Sequence, residues 1–78
     1  MTEKLNIADK IRAHKALPPP AMRRALRVAS GLTQADIAAP VQVHRAAISR
    51  YESGVRTPRG RHLIAYVAVL EELRRAMD

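Results

Sequence analysis

Residues 31–54, GLTQADIAAPVQVHRAAISRYESG, constrain the fold of this chain more than any other stretch. Thr33 is a capping residue, and Asp36, three positions on, is placed to reach back to it in a capping box. Ile37, Ala38 and Val41 then recur at helical spacing. The pattern breaks at Gln42 and Val43, and a second helix is predicted from about His44 to Ser53. Ala47, Ile48 and Tyr51 share its inward face, leaving Arg45, Ala46, Ser49 and Arg50 outward. Gly54 falls where a helix stop favours a residue tolerant of positive φ. The stretch reads as two short helices joined by a tight turn.

The flanks extend the same pattern. Residues 1–17 suit a short amphipathic helix, with Leu5, Ala8 and Ile11 along one side and Ile7 adjoining. Its wet side holds Glu3, Lys4, Asp9, Lys10, Arg12 and Lys15. Pro18, Pro19 and Pro20 end it in an extended segment. The next helix starts near Pro20 or Ala21, runs through Met22, Leu26 and Ala29, and stops at Gly31. Beyond Gly54 a loop reaches Pro58, which opens a last helix of nearly twenty residues. There Leu63, Tyr66, Val67, Leu70, Leu73 and Met77 form the stripe, and Ile64 and Val69 fall beside it. That helix is apolar over more of its circumference than one core contact requires. No strand pattern and no internal repeat appears. The expected fold is all-α, about five helices, with a helical extension and Pro-rich linker over 1–19 and a compact domain over 20–78.

Seventy-eight residues make one small domain with a modest core. Tyr51 and Tyr66 are the only aromatic residues, so that core is built from Ala, Leu, Ile and Val. There is no cysteine, hence no disulfide frame and no thiolate metal site. Neither a signal peptide nor an apolar run long enough for a bilayer is evident, and a cytoplasmic location is expected. The net charge of +7 is large for this size. Arg23, Arg24 and Arg27 precede the central stretch and Arg56, Arg59 and Arg61 follow it, while Asp36 and Glu52 offset Arg45 and Arg50 within it. Basic clusters on either side of a nearly neutral helix pair suit two phosphate strands flanking a groove. A surface merely kept soluble by its charge is the plainer alternative.

The central stretch resembles the lambda-repressor-like helix-turn-helix family of Cro/C1 type, also called the xenobiotic response element family. Gly31, Leu32, Thr33, Gln34, Ala38, Val43, Arg45, Ile48, Ser49, Arg50, Tyr51, Glu52 and Gly54 stand where that family's pattern has them, without gaps. The likeness reaches weakly from about Met22 to about Leu70. Three positions depart from it. Pro40 removes a backbone donor and should weaken or shorten the last turn of its helix. Gln42 replaces the turn glycine and has to hold a left-handed conformation. His44 replaces the usual Ser or Thr cap of the second helix.

The resemblance implies a sequence-specific regulator that binds double-stranded DNA, of phage or prophage repressor type, with the second helix in the major groove. Arg45 and Arg50 become the main base readers, since a guanidinium fork matches guanine O6 and N7. Ala46 can offer a methyl to thymine, Ser49 faces the same way, and His44 either touches DNA or serves only as a cap. Gln34, with Thr33 beside it, is implied to hold a phosphate at the start of the first motif helix. Arg56, Arg59 and Arg61 are further phosphate candidates. Arg27, four before Gly31, is implied to pair with Glu52 and fasten the preceding helix to the reader.

A homodimer on a two-fold operator is expected, because two half-sites nearly add their binding free energies. Ile64, Val69, Leu73 and Met77 are the candidate self-association residues on the last helix. The N-terminal extension reads either as a basic arm or partner-docking helix, or as a cover for the domain's own core. Leu5, Ile7, Ile11 and Leu17 are too apolar for a free arm and favour the cover. Two other functions stay open: the antitoxin of a toxin–antitoxin pair, binding a small protein partner as well as operator DNA, and a protein-interaction module without DNA binding. The arginines argue against the last. No enzyme, metal or cofactor is expected: His14, His44 and His62 lack ligand spacing, Glu71 and Glu72 are helix neighbours pointing apart, and no phosphate loop or nucleophile motif occurs.

Overall fold

In the computed structural model, residues 6–77 are described, and they form five helices with no strand among them. These are α1 (Ile7–Ala16), α2 (Pro20–Ala29), α3 (Gln34–Val41), α4 (Arg45–Ser53) and α5 (Gly60–Met77). The all-α expectation of about five helices is met.

Local chemistry sets most of the boundaries. Pro20 sits in the first turn of α2, where its missing N–H has no helical partner to lose. α2 ends as Gly31 N–H donates to the Val28 carbonyl and Leu32 N–H to the Arg27 carbonyl, with Gly31 at φ 72°. α3 opens with both halves of the capping box: Thr33 Oγ1 accepts the Asp36 N–H at 3.1 Å, and Asp36 Oδ2 accepts the Thr33 N–H at 2.8 Å. The helix then runs through Pro40 to Val41, so the expected shortening does not occur. Pro40 removes only the N–H that would meet the Asp36 carbonyl. Both residues are exposed, and water can satisfy that oxygen. Gln42 takes the left-handed conformation (φ 64°, ψ 46°), and Val43 N–H closes the turn on the Ala38 carbonyl at 3.2 Å. α4 stops at Gly54, φ 80°. α5 starts at Gly60, two residues later than expected, after the buried Pro58. The Arg59 carbonyl accepts its first helical hydrogen bond, from Leu63 N–H.

The core gathers Leu26 from α2, Ile37, Ala38 and Val41 from α3, Ile48 and Tyr51 from α4, and Tyr66, Leu70 and Leu73 from α5. The two tyrosine rings supply its bulk, with centroids 5.1 Å apart at a 46° tilt. A smaller cluster of Ala13, Leu63 and Val67 joins α1 to α5, and Leu17 packs against both clusters.

The docking face of α1 differs from the expected stripe. Ala13 is its buried residue, while Ile7 is 75% exposed and Ile11 51%. Leu5 lies outside the described residues. Leu17, held by the triproline segment against the core, fixes the rotation of the helix. Ala13, one turn earlier, shares that face, whereas Ile11 is two residues from Ala13 and points away. An alanine also lets α1 approach α5 closely.

This packing answers the apolar excess of α5. Ile64 packs beside the α1 cluster, and Val69 beside the main core, both half-buried. Leu73 was expected on a self-association surface, but it is buried in the subunit's own core, where it continues the Tyr66 and Leu70 face. Of the four candidates only Met77, 55% exposed, stands free of both clusters.

Candidate nucleic-acid interface

The outward face of α4 is set by what its inward face must bury. Ile48 and Tyr51 are sealed in the core, so Arg45, Ser49 and Arg50 are forced into solvent, with Ala46 half-exposed between them. These four residues line one open cleft of about 310 Å³ together with His44 and Gln34. All five base-reading candidates therefore meet one of the phosphate candidates at the shared entrance of α3 and α4.

His44 caps the helix it precedes: its Nδ1 accepts the Ala46 N–H at 3.2 Å. That acceptor role puts the ring's proton on Nε2, which leaves a donor for a ligand. At the start of α3 the Thr33 hydroxyl oxygen and backbone N–H are both occupied by Asp36. Hydrogen bonding from Thr33, its backbone N–H first and then its side chain, holds the Asp36 carboxyl below its ordinary range. The unpaired N–H groups of this helix start belong to Gln34 and Ala35, the first two positions of α3.

Glu52 is the hub that ties the reader to its brace. Its Oε2 accepts from Arg27 Nε at 2.6 Å, and its Oε1 accepts from Arg27 Nη2 at 3.0 Å and from the Gln34 amide at 3.2 Å. The side chains of Arg27 and Glu52 are only 13% and 4% exposed. Arg27 also donates to the Leu32 carbonyl at 2.9 Å. The hydrogen bond to Glu52 raises the Arg27 pKa against the opposing effect of burial. Thus α2, α3 and α4 meet on one carboxylate, and the Gln34 side chain lies between that hub and the cleft.

Beyond α4, Arg56 and Arg59 line a second, polar cleft of about 510 Å³ with Tyr51, Val55, Thr57 and His62. His62 was not singled out for this place in the sequence, although its position in the first turn of α5 puts it beside Arg59. Arg61 is exposed and lines neither cleft.

The cluster before the motif needs correction. Of Arg23, Arg24 and Arg27, only Arg24 is exposed. Arg27 is held by Glu52, and Arg23 is 7% exposed. Burial lowers the Arg23 pKa, and its donors are turned inward onto the carbonyls of Pro18 and Tyr51. The signal was available: Arg23 lies three before Leu26 and four before Arg27, on the buried stripe of α2. Nearby, burial first and then the Glu52 charge push the Tyr66 hydroxyl above its ordinary pKa.

A short helix braced at an ion-paired hub, presenting arginines from its outward face beside a capped helix start, is the geometry of a helix-turn-helix domain. The profile of the Cro/C1-type helix-turn-helix family matches residues 24–73, and this chain belongs to that family. No curated protein and no solved structure matches it. Membership makes it a DNA-binding transcription regulator in the general sense. No helix of the described residues is long and apolar enough to cross a membrane.

Proposed function

We propose that this chain is a sequence-specific repressor of phage or prophage type, acting in the cytoplasm as a homodimer on a two-fold operator. One observation carries the reading: His44, Arg45, Ala46, Ser49, Arg50 and Gln34 converge on a single solvent-facing cleft at the entrance of α4. Arg45 and Arg50 read base edges, with guanine as their natural target. Ser49 and Ala46 lie between them and contribute smaller contacts. His44 adds its Nε2–H to the cap it already provides. Gln34, with Thr33, receives one phosphate at the α3 start, and Arg56, Arg59 and Arg61 receive the next strand. Dimerisation follows from energy rather than from a visible face: one small module buries little DNA, and Leu73 is consumed within the subunit.

Selection of bound sequences from random duplex DNA tests this, with the mass of the complex measured alongside. A two-fold consensus containing guanines, bound by two chains and weakened steeply by salt, is the expected result. Recovery of unenriched DNA would overturn it.

A second reading, an antitoxin, draws on a different surface. A groove of about 520 Å³ runs between the triproline segment, α2 and α5, with Leu17, Pro18, Met22, Leu26 and Leu70 inside and Arg74 and Arg75 at its edge. Co-purification of a small protein from the native source, abolished by Met22→Glu, would favour it.

A further inference from the structure

Arg23 is a buried cation without an acidic partner. Its Nε donates to the Pro18 carbonyl at 2.7 Å and its Nη1 to the Tyr51 carbonyl at 2.9 Å. Among the described residues no carboxylate lies within ion-pair distance of it. Tyr51 is in the last turn of α4, where its carbonyl has only the Gly54 N–H, at 3.4 Å, as a backbone partner and the helix dipole presents its negative end. A guanidinium placed there satisfies both needs. It also reaches a second segment, because its fork is rigid and bridges two carbonyls in fixed geometry.

The same segment touches the end of α4 a second time. A Cβ on Gly54 would lie 3.1 Å from Pro20 Cγ, so the helix stop is seated against the triproline ring surface. Pro18 and Pro19 form a stiff, non-helical lead into α2, with Pro19 at ψ 154°. Its N-terminal neighbour Leu17 is packed into both apolar clusters. The exit of the reading helix is therefore held by the triproline segment and the first turn of α2, residues that line neither cleft.

We infer that Arg23 is a positioning residue for DNA reading: it pins the C-terminal end of α4 to the triproline segment and so sets the angle at which Arg45 and Arg50 meet the bases. The inference rests on the DNA-reading function proposed above. Leverage makes the effect large. At about 1.5 Å per residue α4 spans roughly 12 Å, so a tilt of about 5° at its exit moves its entrance by about 1 Å. Productive contacts tolerate only about 0.5 Å. An apolar side chain at 23 could fill the space but would leave the Pro18 carbonyl unbound, the Tyr51 carbonyl with only the 3.4 Å hydrogen bond from Gly54 N–H, and the angle unfixed.

The test compares Arg23→Met and Arg23→Lys with wild type in the full chain, below the unfolding temperature, on the selected duplex and on a random duplex. Arg23→Met should lose about tenfold on the selected duplex, the scale of one weakened bidentate base contact. Its random-duplex affinity should change less than about threefold with an unaltered salt slope, since a buried arginine neutralises no phosphate. Arg23→Lys, able to reach one carbonyl, should recover part of the preference. Amide exchange at Gly54 and in the last turn of α4 should quicken in Arg23→Met while the α5 amides stay protected. This readout also serves for Arg23→Lys if the methionine variant does not fold. Undiminished preference in a folded Arg23→Met chain overturns the role, as does unchanged exchange at the end of α4. So does parallel loss on both duplexes with a flatter salt slope, which would make Arg23 a phosphate contact. A wild-type chain that prefers no duplex would overturn the proposed function and this role together, whereas the preceding outcomes overturn this role alone.

Discussion

Removing Glu52 should unseat the reading helix and take a large share of the domain's stability with it. Its carboxylate is 4% exposed and accepts three hydrogen bonds, two of them from the Arg27 guanidinium and one from the Gln34 amide. In Glu52→Ala the Arg27 charge, only 13% exposed in the intact chain, keeps only the Leu32 carbonyl as partner. Breaking a buried pair from one side costs about 3–5 kcal/mol, because the remaining charge is desolvated and uncompensated. A chain of 78 residues has about 4–12 kcal/mol of stability in total, so this single loss removes at least about a quarter of it. At about 4–8 °C per kcal/mol for a domain this small, Tm should fall by at least about 12 °C. Thermal unfolding of Arg27→Met, Glu52→Gln and the double variant then isolates the pair. Coupling of about 1–3 kcal/mol is expected, with little dependence on salt because the pair is shielded from solvent ions. Coupling within about 0.5 kcal/mol of zero, or a Glu52→Ala loss of no more than about 1 kcal/mol, would be the behaviour of an exposed pair and would refute the hub.

Other outcomes follow from the caps and turns. The Asp36 pKa is lowered in the folded chain, so its contribution is present above the ordinary value of 3.8 and is lost as pH falls through the lower folded value. The Tm gap between wild type and Asp36→Asn should be open at neutral pH and close in acid below that point. Gln42→Gly should raise stability by up to about 1 kcal/mol by relieving the left-handed strain at φ 64°, less the entropy glycine loses on folding; a drop in denaturation midpoint would contradict this. Gly54→Ala should lower it by about 1–2 kcal/mol, since φ is 80° and the new Cβ meets Pro20 at 3.1 Å; an unchanged midpoint would mean that the stop can relax.

Much of the site was legible because it is written in local signals. The Thr33–Asp36 box, the Gly54 stop and the alternation of Ile48 and Tyr51 against Arg45, Ser49 and Arg50 depend on spacing within one or two turns. The Arg27–Glu52 contact spans 25 residues and was reached only through the family resemblance. What escaped depends on where a helix is rotated by distant contacts. Ile7 and Ile11 look like a core stripe, but Leu17 and the prolines turn α1 onto Ala13. Leu73 looks surplus until α2, α3 and α4 close over α5. Arg23 looks like a phosphate contact in a basic cluster, and only the approach of Pro18 and Tyr51 makes it a buried bridge. Pro40 looks like a helix end, yet its position on the wet face of α3 lets the turn continue.

The central claim is that the outward face of α4 reads sequence while the arginines beyond it grip the backbone. It is tested most directly by measuring Arg45→Ala, Arg50→Ala and Arg59→Ala on the selected duplex and on random duplex across a salt series. Each α4 substitution should cost about 1–3 kcal/mol on the selected duplex and much less on random DNA. Arg59→Ala should weaken both alike and reduce the salt slope by about one counterion. If Arg45→Ala and Arg50→Ala weakened both duplexes equally, with the same fall in salt slope as Arg59→Ala, α4 would be gripping DNA rather than reading it.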